Sequence, residues 1–143
     1  MKNKLVASAE TKINAPVSKV WDALTNPEQI KKYFFGTNAI SDWKVGSPLE
    51  FKGEWEGKEY HDKGTILKSE KNKLFQYTYL SSMSGKEDIP ENYATVTYEL
   101  SAQNGSTTLK ILQDGNETQE SKQHSEQNWS YVLNSMKDLL EKE

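Results

Sequence analysis

The sequence predicts a single α+β domain in which a curved antiparallel sheet is closed by a long C-terminal helix. Three observations predict it. Trp129, Val132, Leu133, Met136, Leu139 and Leu140 recur at steps of three and four within Thr118 to Leu140, the spacing of one helical stripe. The middle of the chain alternates apolar and polar residues at the period of two that marks half-buried strands. Short turn signals separate those strands, so neighbours pair as an antiparallel meander with one wet face. A helix with such a stripe lies on the apolar face of the sheet, and a pocket forms where the two stand apart.

The elements follow in order. Leu5 to Ile13 alternates loosely and reads as a strand. Ala15-Pro16 opens a helix, since proline is pre-set for a first helical turn. Within it Val17, Val20, Trp21 and Leu24 share a face. Asn26-Pro27-Glu28-Gln29 then restarts the chain, with Asn26 as cap, Pro27 in the first turn and Gln29 completing a capping-box pattern. This second helix is expected to run to Phe34 or Phe35 and to stop at Gly36. Strands are expected over Thr37–Trp43, Pro48–Glu56, Tyr60–Ser69, Leu74–Leu80, Tyr93–Ser101 and Thr107–Gln113. Asn104-Gly105 is a strong hairpin signal between the last two. Ser81 to Glu91 is polar, holds Gly85 and Pro90, and reads as a flexible loop suited to gating a pocket. Alternation places Leu49, Phe51 and Trp55 inward, and likewise Ala94, Val96, Tyr98 and Leu100. For Leu74 to Leu80 the pattern leaves open which face turns inward.

Composition narrows the function classes. The 143 residues suffice for one core, and residues 1–143 read as one domain. Aromatic residues make up 10% of the chain, too many for a disordered one. All 18 basic residues are lysine and the net charge is -3. Without arginine or a basic block, nucleic-acid binding is disfavoured. The absence of cysteine excludes disulfides and thiolate chemistry. No apolar run suits a signal peptide or a membrane span, so the chain reads as soluble and cytoplasmic.

Four passages resemble a known family. Ile13-Asn-Ala-Pro-Val-Ser-Lys-Val-Trp-Asp-Ala-Leu-Thr-Asn-Pro-Glu28 is similar to the opening strand-to-helix segment of the AHSA1-like group (homologues of the activator of Hsp90 ATPase) in the START-like, or SRPBCC, superfamily. Trp43-Lys-Val-Gly46 followed by Leu49-Glu-Phe51 resembles its second hairpin, and Gly64-Thr-Ile-Leu67 its next strand. Gln127-Asn-Trp-Ser-Tyr-Val-Leu133 resembles the Trp-containing start of its closing helix. Ser47 and Asn128 depart from the glycines that many relatives carry. The resemblance implies the helix-grip, or Bet v1-like, fold. It also implies two functions: holding a small hydrophobic molecule under the helix, or contacting an Hsp90-type chaperone.

Candidate ligand-binding residues are Trp43, Phe51, Trp55, Tyr77, Tyr79, Tyr98, Trp129 and Met136. A small-molecule site is mostly apolar with a few polar groups, and Tyr and Trp supply both. Taken singly, each ring reads first as core filling; as a group beneath the closing helix the pocket reading stands level with it, and Trp129 and Met136 lead the set. Phe34 and Phe35 are candidate protein-contact residues for the chaperone reading. His61 and His124 stand 63 positions apart and read as solvated surface residues. Glu54, Glu56 and Glu59 read as a solvated strand edge. With no nucleophile elbow, phosphate loop or metal-ligand spacing, no catalytic residue, metal or cofactor is assigned. An enzyme of the cyclase or hydrolase kind would have to use Tyr77, Tyr79 or Tyr98, and a phenol is a poor base unless strongly perturbed.

Overall fold

The computed structural model describes residues 5–34, 36–81 and 85–142, apart from the Trp55 side chain. It contains β1 (Leu5–Ile13), α1 (Val17–Thr25), α2 (Pro27–Tyr33), β2 (Asn38–Ile40), β3 (Pro48–Trp55), β4 (Lys58–Glu70), β5 (Leu74–Tyr79), β6 (Ala94–Gln103), β7 (Ser106–Asn116) and α3 (Gln119–Lys142). The seven strands form one antiparallel sheet in the order β1-β7-β6-β5-β4-β3-β2. Every pairing from β2 to β7 joins sequence neighbours, as the turn signals require, and β1 closes on β7.

Alternation sets the inner face. Leu49 and Phe51 of β3, Ile66 of β4, Val96, Tyr98 and Leu100 of β6, and Leu109 and Ile111 of β7 are all buried. The undecided strand is settled: Phe75 and Tyr77 of β5 turn inward and are almost fully buried. The helical stripe lands on this face, burying Trp129, Val132, Leu133, Met136 and Leu140.

Polar contacts fix how α3 lies. β1 is the edge of the sheet, and the helix occupies that edge. Glu126 Oε2 accepts from the Ser8 N–H at 3.0 Å, and Glu141 Oε2 accepts from the Asn14 N–H at 2.8 Å. Lys137 Nζ donates to the Lys12 carbonyl at 2.7 Å. Unpaired strand groups that could recruit another chain are thus met by the protein's own helix. At its start the helix is tied to β7 through buried Asn116. Its Nδ2 donates to the carbonyls of Leu5 and Gln113, and its Oδ1 accepts from the hydroxyls of Ser121 and Ser125. All the hydrogen-bonding capacity of that amide is used, as burial demands.

Three local expectations are corrected. The strand predicted over Thr37–Trp43 is only Asn38–Ile40. Beyond it the Ser41 hydroxyl donates to the Pro48 carbonyl and accepts from the Trp43 N–H, and Trp43 takes a left-handed φ of 65°. A side-chain-stabilised turn replaces the ladder. Asn26 caps α2 by accepting from the Glu28 N–H at 3.1 Å, but the capping box is half made, because Gln29 Oε1 is buried without a partner. Finally, α2 ends at Tyr33, and Phe35 lies outside the described residues.

Candidate functional site

Helix α3 and the sheet do not meet along their whole length. Between the first half of α3, strands β3 to β5 and the end of α2 lies a cavity of about 590 Å³, within the size range of small-molecule sites. Aromatic rings build its walls. Phe34, just past α2, stacks on Phe51 with ring centroids 6.1 Å apart and meets Trp129 edge-on at 6.0 Å. Phe51 in turn contacts Tyr77 at 5.8 Å and Tyr79 at 6.0 Å. Val132 of α3 completes the apolar lining.

Polar side chains share the lining, and several are paired with one another. The Tyr79 hydroxyl donates to Asp62 Oδ2 at 2.5 Å. The hydroxyls of Tyr60 and Thr37 are 2.5 Å apart, and those of Tyr77 and Tyr98 are 2.7 Å apart. Trp129 Nε1 donates to Gln113 Oε1 at 2.6 Å, which fixes the indole ring at the cavity wall. Tyr60 owes its pose to Gly53, directly opposite in the β3–β4 register. A Cβ at Gly53 would lie 2.4 Å from the Tyr60 hydroxyl oxygen, so the missing side chain is the space the phenol occupies.

The buried phenols are shifted in one direction. Burial raises the pKa values of Tyr33, Tyr77, Tyr79 and Tyr98. For Tyr79 the neighbouring Asp62 carboxylate adds to that effect. These groups stay protonated and act as hydrogen-bond donors, not as bases. The unfolded chain releases phenolic protons near pH 10 whereas the folded protein retains them, so stability holds up to about pH 9 and falls above about pH 10. Each phenol ionised only in the unfolded state costs about 1.4 kcal/mol per pH unit there. Tyrosinate absorbance and circular dichroism followed together through an alkaline titration check this. The buried phenols are expected to ionise together with unfolding, not before it.

Of the residues singled out in the sequence, Phe51, Tyr77, Tyr79 and Trp129 line the cavity. Tyr98 stands behind the wall, reaching it through the Tyr77 hydroxyl. Met136 is fully buried in the core, and Trp43 packs on Phe75 at 6.2 Å, so neither lines the cavity. The Trp55 side chain is outside the description. Phe34 is not the exposed aromatic that a protein-contact role presupposed: half-buried, it forms part of the cavity wall. His124 is exposed, as expected, yet stands among the cavity-lining residues. His61 lies outside, with Nε2 2.5 Å from Glu50 Oε1. The sequence reading missed Tyr60, Asp62 and Gln113. A signal for the first two was present: Tyr60, Asp62, Gly64 and Ile66 alternate, and Ile66 marks that face as the inner one.

A long helix held across a curved antiparallel sheet, with two short helices at one end and a cavity beneath, defines the helix-grip class. The chain belongs to the family of activator of Hsp90 ATPase homolog 1-like proteins, whose model matches residues 14–141. It is similar to ChR145 from Cytophaga hutchinsonii, a solution structure with 49% identity and a TM-score of 0.87 over 99% of this chain and 97% of that one. The Aha1 dimer from Colwellia psychrerythraea shares 21% identity with a TM-score of 0.75, covering 96% of each chain. Ara h 8.0201 shares 14% identity with a TM-score of 0.74 over 99% of this chain and all of that one. At those identities the last two show the fold alone. No curated protein matches the chain in sequence. Among the described residues, no helix is long and apolar enough to cross a membrane.

Proposed function

We propose that this domain binds a small hydrophobic or aromatic molecule in the cavity between α3 and the sheet, without catalysis. The observation that carries the reading is the cavity itself: about 590 Å³ walled by Phe34, Phe51, Tyr77, Tyr79, Trp129 and Val132. Burial of ligand area supplies the affinity. At roughly 25 cal/mol per Å², a ligand covering about 200 Å² of apolar surface gains on the order of 5 kcal/mol before the entropy of association is subtracted. Hydroxyls already engaged with one another orient the ligand at the polar end. The protonated phenols argue against base catalysis, since burial moves them away from the ionised form.

Contact with an Hsp90-type ATPase is supported by the family's description; Phe34, half-buried in the cavity wall, adds no support to it.

The test is a neutral alkylbenzene series titrated calorimetrically. Affinity is expected to rise with each methylene until the cavity is full. Val132→Phe adds bulk from α3 and is expected to weaken binding of the largest member by about tenfold or more, at a stability cost of no more than about 1–3 kcal/mol. Affinity independent of apolar size, or untouched by Val132→Phe, contradicts the reading.

A further inference from the structure

Beyond an apolar ligand of unspecified class, one wall of the cavity carries a formal negative charge. Asp62 lies on the inner face of β4, opposite Phe51 in the strand register. Its relative exposure is 7%, unusual for an aspartate. The Tyr79 hydroxyl donates to Oδ2, and Ser81 lies on the same phenol, so Asp62 sits in a polar corner of the cavity. Among the described residues lining the cavity, none is lysine or arginine. The remaining titratable side chain of the lining, apart from the tyrosines, is His124, which is exposed on α3.

We propose that the ligand carries a cationic amine on an aromatic or aliphatic body, with Asp62 as its counter-ion. This deepens the preceding reading and rests on it. The physical argument is one of complementarity. A carboxylate removed from water is costly unless opposite charge or hydrogen bonds compensate it, and a charged ligand group supplies more compensation than a neutral one. The rings of Phe51 and Tyr79 line the same cavity as Asp62, Tyr79 meeting the carboxylate through its hydroxyl, and an aromatic lining favours a cation over an anion. Phe34, Trp129 and Val132 receive the apolar body. The same geometry rejects anions, because a ligand carboxylate would meet Asp62 with no lining lysine or arginine to offset it. The cavity therefore selects amines over fatty or aromatic acids, a discrimination made as much by repulsion as by attraction.

The experiment compares three probes that share a naphthyl ring: naphthylethylamine, naphthylethanol and naphthylacetate. Binding to the intact protein is followed by amide and indole shifts in two-dimensional NMR at neutral pH. The amine is expected to bind about tenfold or more tighter than the alcohol, and the acid more weakly than either. Asp62→Asn keeps an acceptor for Tyr79 and removes the charge. It is expected to abolish the preference for amine over alcohol. The wild-type comparison alone decides the matter if that variant does not fold. Alcohol binding equal to or tighter than amine binding overturns the amine assignment and leaves the apolar-ligand reading standing. A preference for amine that survives in Asp62→Asn overturns the role of Asp62. Failure of all three probes to shift cavity resonances overturns both readings together.

Discussion

Gly64→Ala is expected to unfold or severely weaken the protein, lowering its stability by roughly 3–5 kcal/mol. The cause is a close approach of two strands. A Cβ at Gly64 would fall 1.6 Å from the Thr78 carbonyl oxygen and 2.5 Å from its carbon, both backbone atoms that no rotamer change can move. The strands are held there by bonds on either side: Thr65 N–H donates to Thr78 Oγ1 at 2.9 Å, and Leu80 N–H donates to the Lys63 carbonyl at 2.9 Å. Just beyond, the β4–β5 register shifts between Ile66 and Lys68. This pinch is also where Asp62 of β4 meets Tyr79 of β5. Urea denaturation gives the measurement. A midpoint shift equivalent to less than about 1 kcal/mol would mean that the strands separate freely and that the pinch does not shape the site.

The second large effect belongs to Trp129. Trp129→Ala is expected to cost about 3–5 kcal/mol, the usual penalty for deleting a large buried ring. It removes the edge contacts to Phe34 and to Tyr98 at 6.1 Å and leaves Gln113 Oε1 without the indole donor. Because the ring is wall as well as core, ligand affinity should fall with stability. Trp129→Phe separates the two effects. It keeps an aromatic surface and loses the hydrogen bond, so the expected stability loss is about 1–2 kcal/mol, with weakened but measurable binding. Met136→Ala provides the contrast. Met136 is equally buried but does not line the cavity, so it should cost about 2–5 kcal/mol with affinity unchanged in the folded fraction.

That contrast marks where the sequence was legible. The stripe from Trp129 to Leu140 fixed the helix and its buried face to within two residues at either end, because a period of three and four has one interpretation over so long a span. Period two likewise gave inner residues of β3 and β6. What periodicity cannot give is depth. Trp129 and Met136 share a stripe, yet the first borders empty volume and the second is sealed, since the gap depends on how the end of α2 and strands β3 to β5 stand off from the helix. Trp43 misled for a different reason: the Ser41 hydroxyl diverts the chain into a turn, and the ring then packs on Phe75. Asp62 was passed over because acidic residues on strands are mostly outward-facing, although its parity with Ile66 placed it inside. The Phe51–Tyr77–Tyr79 wall was partly legible, its orientation being decided only when β5 paired between β4 and β6.

The central claim is that the space under α3 is a ligand site and not a packing defect. The most direct measurement follows the Trp129 indole N–H of the full chain during titration with a neutral naphthyl alcohol. The account predicts a saturable shift at Trp129, accompanied by Phe51, Tyr77 and Tyr79, with the Trp43 indole and the Met136 methyl unmoved. Shifts centred on Trp43 and Met136, or none at Trp129 up to the solubility limit, would contradict it.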